Sequence, residues 1–92
     1  MEYFPIANNR RVSVDTVTRI LAKVQENEFL DSVALDFFMK DKVFTDVHAF
    51  YAVEEFRTDV REALQKTNLL RYAQGMGYRI THAGSAFLNE NR

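Results

Sequence analysis

Leu69-Leu70-Arg71-Tyr72-Ala73-Gln74-Gly75-Met76-Gly77-Tyr78-Arg79-Ile80-Thr81-His82-Ala83-Gly84-Ser85-Ala86-Phe87-Leu88 is the stretch that decides the fold. Tyr78 and Ile80 alternate with Arg79, the two-residue period of a strand with one face on a core and Arg79 toward water. Gly75 and Gly77 flank Met76 and permit the φ values of a tight hairpin tip. Thr81 can cap a closing helix that docks Phe87 and Leu88. Upstream, Phe56, Val60, Ala63 and Leu64 recur at helical spacing as far as Lys66. Asn68 then offers the left-handed exit at which helices commonly end. The predicted order is helix, strand, glycine turn, strand ending in Thr, short helix.

Ala63-Leu64-Gln65-Lys66-Thr67-Asn68-Leu69-Leu70, together with Gly77 to Leu88, resembles the closing half of a winged helix-turn-helix domain. In that family a recognition helix ends in an apolar residue, a few polar ones, a glycine and two aliphatics; here Asn68 stands for the glycine. The resemblance is good over residues 56–90 and loose over residues 14–55. It implies an α+β, mostly helical domain of three to four helices with a two-stranded β-wing. Winged helices serve DNA binding, RNA binding and protein assembly alike, so the fold does not name the function.

Working back toward the start, Ser13 or Asp15 can cap a helix reaching about Gln25, with Val14, Val17, Ile20, Leu21 and Val24 on one stripe. Asn27 offers a second cap, and Leu30, Val33, Ala34 and Phe37 predict a helix to about Met39. Lys40-Asp41-Lys42 would end it and make the turn. From a cap at Thr45, apolar residues recur every three or four positions through Thr67 without Gly or Pro. Either one helix spans about residues 46–67, or a turn near residues 52–55 divides two; a helix-turn-helix needs the break, and the break is favoured. Residues 1–12 read as an N-terminal arm, with a short strand at residues 3–6 and Arg10-Arg11 just before the first helix.

With 92 residues and 47% hydrophobic content, the chain predicts a single domain, residues 1–92, that builds its own core. Cysteine is absent, which removes disulfides, thiolate metal sites and cysteine nucleophiles. No apolar run approaches the roughly 20 residues of a membrane span. No cationic flank precedes an apolar stretch as in a secretory signal. The expectation is a soluble, cytoplasmic protein. Net charge is −1, distributed as +2 over residues 1–25, −6 over residues 26–62 and +3 over residues 63–92.

His48 and His82 lie far apart, with no ligand-like spacing to each other or to carboxylates, and no phosphate-cradling glycine loop is present. The reading is therefore no enzyme, no cofactor and no metal. Two function classes remain. A small transcriptional regulator would read double-stranded DNA with Thr58, Arg61 and Gln65, with Arg57 and Lys66 at the margins of that face. Arg71 and Arg79 on the wing would contact phosphates. Asp59 and Glu62 oppose this by repelling the same backbone. The alternative is a protein-interaction module, an adaptor or inhibitor that binds no nucleic acid. Its interface candidates are the adjacent aromatic pairs Phe37-Phe38 and Phe50-Tyr51, one member of each being open to a partner or to a second copy. A homodimer through the first helices is expected in either case.

Overall fold

The computed structural model describes residues 2–45 and 53–92. It is an α+β chain with four α-helices and two small antiparallel hairpins among the described residues. At the N-terminus β1 (Tyr3–Pro5) pairs with β2 (Arg11–Ser13) in register Phe4↔Val12. The expected first strand is therefore present. The rest of the arm is not loop: Asn8 and Asn9 both sit at positive φ, 61° and 59°, as a type I′ turn requires, and return the chain as β2. Arg11 thus lies within a strand, its guanidinium over the Tyr3 ring.

Ser13 caps α1 (Val14–Gln25), its Oγ accepting from the Thr16 N–H at 3.1 Å. Val17, Ile20, Leu21 and Val24 have no exposure at all, and Val14 almost none, so the apolar stripe of α1 lies inside the monomer. The last helix covers it: α4 (His82–Asn91) packs along α1, with Leu88 buried and Phe87 edge-on to Phe4 at 5.9 Å. Gly84 lets the first turn of α4 lie against the main chain at Leu69, because a Cβ there would lie 2.2 Å from the Leu69 carbonyl oxygen.

Helix α2 (Ser32–Phe38) departs from expectation in its cap and its face. Asp31, not Asn27, caps it, Oδ1 accepting from the Ala34 N–H at 2.8 Å. Its core contact is Leu35, fully buried like Met39 just past its end, whereas Val33 and Phe37 are 64% and 56% exposed. The stripe counted from Leu30 fails because Leu30 precedes the cap. Leu30 instead bridges Tyr78, each N–H donating to the other's carbonyl at 2.9 and 2.8 Å. The helical rotation must be counted from Asp31, which turns Val33 and Phe37 outward. Nor do Lys40, Asp41 and Lys42 form a turn. The chain runs on as a π-helical turn, Met39–Val43, closed by the Phe44 N–H on the Met39 carbonyl at 2.7 Å. This widened turn keeps both Met39 and Phe44 in the core.

Helix α3 (Glu54–Lys66) begins after Val53, whose backbone is extended at φ −72° and ψ 137°. A single helix through residues 46–67 is thereby excluded; residues 46–52, with Phe50 and Tyr51, lie outside the described residues. Val53 provides no side-chain cap, and Glu54 and Glu55 supply negative charge to the open helix start instead. Phe56, Val60 and Leu64 are buried against the core, Phe56 edge-on to Phe44 at 5.4 Å. Asn68 ends the helix at φ 63°, and β3 (Leu70–Ala73) and β4 (Gly77–Ile80) follow in register Leu70↔Ile80, Arg71↔Arg79, Tyr72↔Tyr78. Thr81 caps α4 as expected, Oγ1 accepting from the Gly84 N–H at 2.9 Å.

Candidate interaction surface

The residues proposed to read DNA do not form one cationic face. Arg57 is buried at 6% exposure, its Nε and Nη2 donating to the two carboxylate oxygens of Asp36 on α2 at 2.9 and 3.1 Å. Hydrogen bonding to Asp36 raises its already high pKa, with burial opposing. It is an internal tie and leaves the DNA-binding set. Arg61 is half-buried and donates to the Ser32 carbonyl at 3.3 Å and to Thr58 Oγ1 at 3.1 Å. It thereby holds the start of α2 against the middle of α3. Gln65 and Lys66 are exposed, and Gln65 Oε1 accepts a long 3.5 Å contact from the Tyr78 hydroxyl. Burial pushes the Tyr78 phenol above its usual range.

Asp59, expected to face solvent, is half-buried and paired with Arg10 from the N-terminal hairpin. Arg10 also lies over the Phe56 ring, 5.4 Å from its centroid. The hairpin thus covers one flank of α3. What remains outward on α3 is Glu54, Glu55, Glu62, Gln65 and Lys66, three acids against one base. Beside the start of α3, a shallow groove of about 210 Å³ is lined by Ser32, Val33, Asp36, Phe37, Glu54 and Arg61. It combines two exposed apolar side chains with the Glu54 carboxylate; Asp36 is already paired with Arg57, and Arg61 is bonded to Ser32 and Thr58. Phe37 is the open member of its aromatic pair; Phe38 is half-buried, with the Lys23 ammonium 5.6 Å from its ring centroid.

Arg71 and Arg79 stand directly opposite each other on the outer face of the β3–β4 hairpin, both exposed. Tyr72 and Tyr78 occupy the other face, ring centroids 5.0 Å apart. The hairpin tip, Gln74-Gly75-Met76, has no charge, and Met76 is 55% exposed. The sequence pattern thus located this hairpin and the outward Arg79, but not the internal bonding of Arg57 and Arg61 on α3. It also missed Asp36 and Val33 as surface-defining residues. The available signal for Val33 was the cap at Asp31, which fixes the phase of α2.

Comparison with protein-family models, with characterised proteins and with solved structures finds no match. The class is therefore defined by the architecture alone, an α+β chain of helices with two small hairpins among the described residues. Among the described residues, no helix is long and apolar enough to cross a membrane, and no group of three or more His, Asp or Glu is placed to hold a metal.

Proposed function

We propose that this chain is a non-catalytic winged-helix domain that docks a protein partner through the groove between α2 and the start of α3. The winged-helix assignment rests on the run of α3, Asn68, β3, glycine tip, β4 and Thr81-capped α4, and on the extended break at Val53 that separates α3 from what precedes it. The observation that carries the docking reading is the character of the outward α2–α3 surface. Its arginines are bonded internally, Arg57 to Asp36 and Arg61 to Ser32 and Thr58, while Val33, Phe37 and Glu54 are presented together. The exposed Glu54, Glu55 and Glu62 of α3 repel a phosphate backbone, whereas burying Phe37 and Val33 under a partner contributes roughly 1.5–3 kcal/mol per fully covered side chain. The fitting partner is an amphipathic segment with apolar side chains flanked by Lys or Arg.

The test is a titration of the labelled domain with a synthetic Leu/Lys amphipathic helix and with its Leu/Glu counterpart. Saturable shifts at Val33, Phe37 and Glu54 with the lysine peptide alone, lost in Phe37→Glu, are expected. Saturation at this groove by neither peptide would reject the reading. Sedimentation in the same buffers shows whether a second copy occupies the groove, the homodimer expected from sequence; the apolar stripe of α1 is not available for that role.

A DNA-binding regulator is the second reading. It is favoured by Arg71 and Arg79, which stand together without a carboxylate partner among the described residues, and by Thr58, Gln65 and Lys66 along α3. It predicts a mobility shift on duplex DNA that weakens steeply with salt.

A further inference from the structure

A cleft of about 330 Å³ opens where the outer face of the β3–β4 hairpin meets the start of α4, lined by Asn68, Arg71, Arg79, Ile80, Thr81 and His82. No carboxylate lines it. Arg71 and Arg79 are cross-strand partners, so their side chains leave the same face of the hairpin from directly opposed positions. Like charges so placed destabilise a hairpin unless an anion lies between them. Arg79 is further steadied by the Phe29 ring, 5.7 Å from its guanidinium carbon.

The backbone contributes to the same cleft. Thr81 Oγ1 donates to the Asn68 carbonyl at 2.6 Å and accepts from the Gly84 N–H, which fixes the first turn of α4. The N–H groups of His82 and Ala83, ahead of Gly84, have no acceptor within the helix. They carry the positive end of its dipole. Two arginines and the first residue of a helix thus line one cleft from three separate elements, β3, β4 and α4.

We infer that this cleft binds a phosphate group. Guanidinium groups match phosphate oxygens in bidentate geometry, and helix-start N–H groups complete the recognition of a compact dianion. The cleft has room for several waters, at roughly 30 Å³ each, which a phosphate would displace. It lies across the hairpin from the tyrosine face that meets α3, so it does not depend on what docks at the α2–α3 groove.

The test is a two-dimensional NMR titration with sodium phosphate, ionic strength held constant with sodium chloride so that bulk screening does not change. Saturable shifts are expected at the amides of Arg71, Arg79, His82 and Ala83. In the Arg71→Ala/Arg79→Ala double variant the affinity falls at least tenfold while the remaining spectrum stays in place, both side chains being exposed. A short duplex DNA forms the second arm. If it saturates the same amides with the same dependence on the two arginines while inorganic phosphate does not, the phosphate is one held in a nucleic-acid backbone. If neither ligand saturates these amides, or the double variant binds as the parent does, the inference is overturned. Shifts at Val33 and Phe37 report separately on the groove, so the two readings fail independently.

Discussion

Arg57 on α3 grips Asp36 on α2 through two parallel hydrogen bonds, with the guanidinium out of water and the carboxylate side chain 26% exposed. This pair sets how the two helices lie against each other. Removing the acid takes two hydrogen bonds from a buried cation, whereas replacing the base by an apolar side chain of similar length refills the space. Asp36→Ala is expected to cost about 2–3 kcal/mol, allowing for solvent reaching the carboxylate, and Arg57→Met clearly less. Urea denaturation of both variants measures the difference. Equal losses would show that no buried-charge penalty operates here.

The two hairpin glycines predict unequal outcomes. Gly75 sits at φ 82°, and a methyl group added there would meet nothing within 4 Å, so Gly75→Ala carries only the left-handed backbone cost of roughly 1–2 kcal/mol. Gly77 sits at φ 114°, and a Cβ would meet the Leu30 carbonyl oxygen at 2.6 Å and the Asp31 Cα at 2.8 Å. Gly77→Ala adds overpacking of roughly 1–3 kcal/mol to the same backbone cost. Thermal melts should rank parent, Gly75→Ala, Gly77→Ala in descending stability. A reversal would mean that the Leu30 segment yields.

Phe37 near the end of α2 and Met39, which opens the π-helical turn, should respond unequally. Met39 has no exposure, and Met39→Ala should cost about 2–5 kcal/mol. Phe37→Ser, at an exposed position, should stay within about 0.5 kcal/mol of the parent. Guanidinium unfolding midpoints decide it. A large loss from Phe37→Ser would return that ring to the core and remove the proposed docking surface.

Tyr78 makes stability pH-dependent at the alkaline end. Burial raises its folded pKa above the ordinary value, so the neutral phenol belongs to the folded state and the unfolded chain ionises first. The contribution is complete below about pH 10 and declines as pH rises through that value toward the folded pKa. Tyr78→Phe should therefore lose less stability between pH 9 and pH 11 than the parent, in paired urea melts. Parallel pH profiles would assign the alkaline loss to other groups.

The parts legible from sequence are those where local chemistry and packing agree. The stripe of α1, the left-handed exit at Asn68, the glycines of the β3–β4 hairpin and the Thr81 cap each follow from a residue whose conformational preference the core also rewards. The phase of α2 was not legible from apolar spacing alone, because Leu30 looks like a helical position but pairs with Tyr78 as a bridge. Arg57 shows a second limit. Its spacing puts it at the edge of α3, and only the approach of Asp36, 21 residues away in the chain, makes it internal. The second strand of the N-terminal hairpin was hidden by its length of 3 residues, although the Asn8-Asn9 pair signals the turn that produces it.

The reciprocal bonds between Leu30 and Tyr78 have a mechanical corollary. They join the linker leading into α2 to the second ribbon, and Gly77 presses its backbone against the same linker. The ribbon therefore cannot swing as a free flap. A load applied at its outer arginines is therefore borne by the main chain of Leu30, Asp31, Gly77 and Tyr78 together, not by the two strands alone.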